Sequence, residues 1–429
     1  MRPPRIFVVG SLLLALGVVG LARQRDDAFQ VSRDHPAIRY TEGELGDRVT
    51  ALARDIEAGK ASLRFDADGT GYLRAFLKAL DIPVESQVLV FSKTSFQAPM
   101  ISSHNPRALY FSDDVAVGWV RGGDVLEIAA QDPRQGMVFY QLPQKPGAQL
   151  SREEQCLQCH LSWDTRAVPG ALVQTVFPRK TDAEYANGFV VDDRVPIAER
   201  WGGWYVTGEE VPDRHMGNAE LIRPDANERF EPAKLTSVEG RFDTDKFPTP
   251  YSDVVALLTI DHQAHLTNLL TRAGWEWRLG QYQARLPGMP RGATSGITPR
   301  VRQAVDELVD YMLFVEEAPL PSRVRGSSGF AAAFEARGPK DSQGRSLRAF
   351  DLDKRMMKYP LSYMIYSPGF EGLPPEVKEA VYQRLWAILS GRESGEAYAH
   401  LTQPIRRAIV EILKDTQPGL PDYFGAVTR

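Results

Sequence analysis

Cysteine is almost missing from this chain, with two in 429 residues. A second Cys-x-x-Cys-His motif is therefore absent, which excludes the architecture of the di-haem bacterial peroxidases. A zinc site built from two cysteine pairs is excluded as well. An excess of charge of one sign is also lacking. The 51 basic and 55 acidic residues give a formal charge of -4 and are spread along the whole length, so no basic stripe can displace counterions from nucleic acid. Nucleic acid is not an expected partner. No glycine-rich phosphate loop, serine nucleophile elbow, internal repeat or low-complexity tract is present.

Long apolar runs are missing too, with one exception at the start. Arg2 and Arg5 precede an apolar stretch from Ile6 to Ala22, broken only by Ser11 and followed by Arg23 and Arg25. A basic flank, an apolar core and the small-x-small pattern Gly20-Leu21-Ala22 mark an export signal or a membrane anchor, and at 17 residues the run suits either. Residues 1–22 are expected to place the body of the protein in the periplasm or on the outer face of the cytoplasmic membrane. The rest, at 43% hydrophobic and 25% charged content, is ordinary globular material, enough for two or three cores.

What the chain does have is one concentrated motif, Cys156-Leu157-Gln158-Cys159-His160. In Cys-x-x-Cys-His the two thiols add across the two vinyl groups of haem, and the adjoining imidazole becomes the proximal iron ligand. Two intervening residues let one helical turn bring both sulfurs to the porphyrin edge. Random shuffling of this composition yields the pattern roughly once in ten thousand trials. Other readings stand beside it. A thioredoxin-type dithiol needs the motif at a helix start in a small βαβ domain. A zinc site needs two more ligands, for which only His262 and His265 are available. A plain disulfide would close a tiny loop and restrain little of the unfolded chain. Export and covalent haem support each other, because this haem is attached outside the cytoplasmic membrane.

Apolar periodicity divides the chain into an α+β arrangement, a strand-rich N-terminal part around the haem motif followed by a mainly helical C-terminal part. Residues 35–150 read as helices and then antiparallel strands. Leu45, Val49, Leu52 and Ile56 have helical spacing, whereas Val88, Val90, Tyr110, Val115, Val117, Trp119, Val125, Ile128, Val138 and Tyr140 fall in short runs between turns. Residues 151–248 form the haem-binding region, with Ser151 and Glu154 as a capping box for a short helix, and further strands near 171–177, 189–192 and 204–207. Residues 249–429 are mainly helical, with helices near 251–280, 299–316, 375–391 and 402–415, and a loop over 319–345.

The sixth iron ligand decides whether such a haem only passes electrons or also binds a small molecule. Met216 lies 56 residues after His160 in a loop-like segment and is the first candidate, with His215 beside it as the alternative. His262 and His265 share an apolar helical stripe with Leu258, Leu266 and Leu269, where a hydrogen-bonded core role competes with ligation. Met100 and His104 precede the motif, and an open site is the remaining option. Arg200, Trp201, Trp204 and Tyr205 offer donors and flat rings of the kind that border a porphyrin, or else form a strand with buried aromatics. The acidic pairs Asp113-Asp114 and Asp192-Asp193 read as solvated turns without a role.

The segments NPRALYF (105–111), VGWV (117–120), CLQCH, RWGGWYVTG (200–208), HMGN (215–218) and YPLSYMIYSPGF (359–370) resemble a family of large exported bacterial monohaem cytochrome c-domain proteins. The resemblance spans nearly all of the chain after residue 22. It implies covalent haem c on Cys156 and Cys159, iron on His160 and the HMGN segment near the haem, and it supplies no established substrate and no catalytic residues. The expected function is one-electron transfer to a redox partner protein. The competing expectation is a peroxidase- or oxygenase-like haem enzyme, or a haem-based sensor, with an open iron.

Overall fold

The alternating apolar residues between Val88 and Pro143 become strands of an antiparallel sheet in the computed structural model, which describes residues 33–178, 188–221, 230–287 and 296–425. The expected leader, residues 1–22, lies outside the described residues. The sheet has six strands in sequence order: β1 (Val88–Val90), β2 (Arg107–Phe111), β3 (Val115–Trp119), β4 (Val125–Asp132), β5 (Gly136–Pro143) and β6 (Ser151–Arg152). Short turns separate β2 to β5 and longer connections join β1 to β2 and β5 to β6, and each strand pairs with its chain neighbour.

Successive side chains of a strand point to opposite faces, and here the two faces differ sharply. On one lie Ala108, Tyr110, Val117, Trp119, Ile128, Ala130, Val138 and Tyr140, all buried in a core shared with α1 (Arg48–Glu57) and α2 (Leu73–Ala79). Full burial of one large apolar side chain is worth roughly 1.5–3 kcal/mol, so this face anchors the register. Asp47 caps α1 by accepting from Val49 and Thr50 N–H, and its carboxylate also takes the Tyr140 hydroxyl at 2.6 Å, tying helix to sheet.

The other face carries small residues at its centre. The register places Leu109 opposite Gly118 and Gly118 opposite Glu127, and in the next row Phe111, Ala116, Ala129 and Phe139 stand side by side. Ala116, Gly118 and Ala129 form a depression, because larger side chains rim it. After β6 comes the short helix α3 (Leu157–His160). Ser151 does not cap it: Ser151 and Arg152 pair with β5, and α3 starts after Cys156 with no side-chain cap. Strand pairing at residue 151 pulls the expected capping box out of position.

The C-terminal part is mostly helical. α4 (Val254–Ala284) begins at Asp253, whose carboxylate accepts from Val255 N–H and from Ser327 and Ser328 N–H. Its first half is buried on nearly every side. Around it pack α5 (Pro299–Met312), α6 (Phe330–Ala336), α7 (Pro368–Glu371), α8 (Pro375–Leu389) and α9 (Gln403–Thr416). α5 and α8 both start with proline at the first turn, where its missing N–H costs nothing. Two expectations need correcting. The expected loop 319–345 contains α6, which a glycine-, serine- and arginine-rich flank had concealed. Residues 204–207 make isolated bridges rather than a strand, while Gln174–Val176 (β7) and Gly188–Val190 (β8) pair with each other. No helix among the described residues is long and apolar enough to cross a membrane.

Candidate functional site

The small-residue depression of the sheet is the floor of a cavity of about 480 Å³, within the size range of ligand and cofactor sites. Its roof is the segment Ala171–Gln174 together with Ile260, Gln263, Ala264 and Thr267 of α4, and Trp204 closes one side. Cys156, Cys159 and His160 all line this cavity. The motif therefore opens into enclosed space, although Cys159 itself is exposed to solvent and Cys156 is half-buried.

His160 is held by a double latch. Its Nδ1 lies 2.8 Å from the Gly170 carbonyl oxygen, and the Gly170 N–H donates to the His160 carbonyl at 2.9 Å. A proton on Nδ1 leaves Nε2 as a lone-pair donor, which is how a metal-bound histidine is usually oriented by its second partner. Burial lowers the imidazole pKa, so the ring stays neutral and able to ligate. Phe139 lies against the ring, 4.7 Å between centroids. Gly170 has no room for a side chain: a Cβ there would come within 2.2 Å of Asn268 Oδ1 and 2.9 Å of Thr165. Asn268 grips the next residue, accepting from Ala171 N–H at 2.8 Å and donating to its carbonyl at 2.9 Å. α4 thus clamps the loop that orients His160.

The two thiols are free. Burial, with help from Glu127 and Glu153, pushes the Cys156 thiol up to about 11. A thioredoxin-type dithiol needs the opposite shift and a βαβ setting, and here the motif follows an antiparallel strand. The zinc reading fails on geometry as well. Among the described residues no three His, Cys, Asp or Glu side chains converge as a metal cluster, and His262 spends both ring nitrogens on Asp193 (2.6 Å) and Ser362 (2.8 Å).

Met216 and His215 do not line the cavity. Both are buried beside the Arg200–Trp201 segment: Met216 N–H donates to the Arg200 carbonyl, and the His215 ring packs on Trp201 with its Nδ1 lacking a partner. The HMGN segment is held instead by Asn218, which bonds both N–H and carbonyl of Val206. Met100 and His104 are exposed and away from the cavity. His262 and His265 sit on the wrong side of α4. At about 100° per residue they lie roughly 150° around the helix from the cavity stripe formed by 260, 263, 264 and 267. Among the described residues the one methionine in the lining is Met137, whose N–H donates to the Pro169 carbonyl, next to the Gly170 that holds His160.

The acidic pairs are not solvated turns. Asp113 and Asp114 line the cavity and pair with Arg348 and with Arg48 (3.0 Å), and Asp193 is buried against His262. Arg200 and Trp201 serve a buried network on Asp261, at 3.2 and 3.1 Å, whereas Trp204 does reach the cavity, its indole N–H donating to the Gln174 carbonyl at 2.7 Å. Sequence reading missed Arg107 and Glu127, an ion pair at 2.7 Å inside the cavity, with Ser95 donating to Glu127 at 2.9 Å. The signal was present in the alternation of β3, where Val115, Val117 and Trp119 take one face and Ala116 and Gly118 the other. No protein family, curated protein or solved structure matches this chain.

Proposed function

We propose that this chain is an exported c-type haem protein. Cys156 and Cys159 would hold one haem by thioether bonds, His160 Nε2 would ligate its iron, and the resemblance to large monohaem cytochrome c-domain proteins points the same way. The observation that carries the reading is the conjunction at His160. A motif histidine has Nδ1 fastened to a carbonyl and no hydrogen bond from Nε2 to any described residue, on the wall of a cavity floored by Ala116, Gly118 and Ala129. The donor set suits the group, and Ala116 and Ala129 leave space on this face of the sheet that larger side chains would fill. When bound, a haem supplies one-electron redox chemistry and an iron able to take a small ligand.

The first reading of purpose is electron transfer with a redox partner protein, at the periplasmic face and with residues 1–22 as signal or anchor. A second reading is favoured by a specific observation. Among the described residues Met216 and His215 stand outside the cavity, and its lining holds no histidine besides His160 and one methionine, Met137, whose backbone N–H bonds to Pro169 next to Gly170. That favours a ligand-binding haem, hence an enzyme or sensor. Protein produced with the export and haem-maturation machinery should stain for haem after denaturing electrophoresis; absence of covalent haem overturns the proposal. Absorption spectra with and without CO separate the two purposes. A low-spin spectrum indifferent to CO supports pure electron transfer, and a high-spin spectrum with rapid CO binding supports the second reading.

A further inference from the structure

Among the described residues the charged side chains lining the cavity are all paired, but the Arg107–Glu127 pair leaves one buried donor and one buried acceptor without a hydrogen bond. Asp113 and Asp114 are paired with arginines outside the lining, and Lys93 donates its ammonium to the carbonyls of Ala98 and Ile101. Arg107 Nη2 lies 2.7 Å from Glu127 Oε2 as an ion pair, while Arg107 Nε and Glu127 Oε2 are each buried without a hydrogen-bond partner. A buried donor left unmade costs about 1–3 kcal/mol, which makes Nε a place where an acceptor on a bound molecule would be gained.

The placement of this guanidinium is specific. Arg107 on β2 reaches across β3 to Glu127 on β4, and it can do so only because residue 118 is glycine: a Cβ there would lie 2.5 Å from the guanidinium. The arginine therefore lies along the floor of the cavity. It lines the same cavity as Cys156, Cys159 and His160. Ser95 holds the far oxygen of Glu127, so the carboxylate is fixed where it neutralises the arginine in the resting cavity.

We propose that Arg107 is the seat for a small anionic ligand, such as azide or a similarly charged oxygen or nitrogen acceptor, taken up in the cavity beside His160, with Glu127 restraining its affinity. This rests on the ligand-binding reading of the haem site. A fixed cation stabilises an anion and is nearly indifferent to a neutral ligand, whereas removing the neighbouring carboxylate strengthens the field the anion meets.

The test uses the haem-loaded full-length protein, titrated with azide and separately with CO while absorption is followed, in the wild type, Arg107→Gln, Arg107→Lys and Glu127→Gln. Arg107→Gln is expected to weaken azide binding at least tenfold while CO affinity stays within about threefold. Arg107→Lys should recover part of that loss, and Glu127→Gln should tighten azide several-fold. That opposite sign is something a merely structural pair would not produce. Equal loss of azide and CO affinity in Arg107→Gln, or no change in either, overturns the role of Arg107 while leaving the haem reading intact. Covalent haem that binds neither azide nor CO in the wild type overturns the ligand-binding reading and this inference with it. Protein without covalent haem removes the basis of both.

Discussion

His160 and Gly170 exchange two hydrogen bonds, imidazole Nδ1 with the Gly170 carbonyl at 2.8 Å and the Gly170 N–H with the His160 carbonyl at 2.9 Å. Ten residues apart in sequence, they close a loop that holds the His160 ring on the wall of the cavity. Two residues within that loop, Arg166 and Ala167, take left-handed backbone conformations, at φ 61° and 60°. Such conformations cost of order 1–3 kcal/mol each and persist where the surroundings over-determine them, here through the Ala167 N–H bond to Ser162 and the Arg166 ion pair with Glu307 at 2.6 Å.

Gly170→Ala is expected to open this latch. A Cβ 2.2 Å from Asn268 Oδ1 must push either the loop or α4 away, so thermal unfolding should show a loss of at least about 2 kcal/mol. In the haem-loaded protein the electron paramagnetic resonance of the ferric state should shift, because the ring of His160 loses its fixed orientation. Wild-type stability and an unshifted spectrum would contradict the latch.

Met216→Ala should cost about 2–5 kcal/mol of stability, as for other buried methionines, with no change in the absorption spectrum of the haem-loaded protein. This reverses the expectation from sequence spacing. Conversion to high spin on this substitution would show that Met216 reaches the iron after all.

Ser362, His262 and Asp193 form a hydrogen-bonded row that looks like a hydrolytic triad, at 2.8 and 2.6 Å. All three are buried, and none lines the cavity beside His160. Tyr311 and Phe314 stack on the imidazole, with centroids 5.0 and 4.4 Å away. The row therefore holds α4 to the segment that starts at Ser362. Native protein is expected not to react with a fluorophosphonate serine probe, and Ser362→Ala should cost about 1–3 kcal/mol by stranding His262 Nε2. Labelling of Ser362 in the native state would refute the structural role.

Glu317 gives a pH dependence with a defined sign. Burial raises its carboxyl from an ordinary 4.5 to about 7 while its Oε1 accepts the Met356 N–H at 2.7 Å. Below pH 4.5 the folded and unfolded states are both protonated and the contribution to stability is complete. Between 4.5 and 7 the folded state binds more protons than the unfolded one, so stability is lost as pH rises through that window. Glu317→Gln keeps the acceptor and removes the ionisation. Its melting temperature relative to wild type should rise from pH 5 to pH 8, by an amount equivalent to at most about 3 kcal/mol. A constant difference across that range would show that Glu317 titrates normally.

Much of the architecture was legible beforehand because it depends on local periodicity. Alternation at Val115, Val117 and Trp119 and again at Val138 and Tyr140 requires strands, and short turns between them force an antiparallel meander. Thr298-Pro299 and Pro374-Pro375 mark helix starts for reasons carried by the residues themselves. Reasoning from distance along the chain carried less far. Met216 stands at a plausible spacing from His160, and Asp113-Asp114 look like a solvated turn, but only packing shows that the first is enclosed elsewhere and the second borders the cavity.

By itself, the sequence determined the single Cys-x-x-Cys-His motif, the absence of a second, and the mixed order of strands followed by helices, since each depends on residues close together in the chain. The tertiary structure decided what surrounds that motif. It laid the small face of β3 opposite one stripe of α4, turned His262 and His265 to the other side of that helix, and brought Arg107 across Gly118 to Glu127. These placements depend on which face of each element is buried against which partner, a property of the whole packed chain that no local pattern contains.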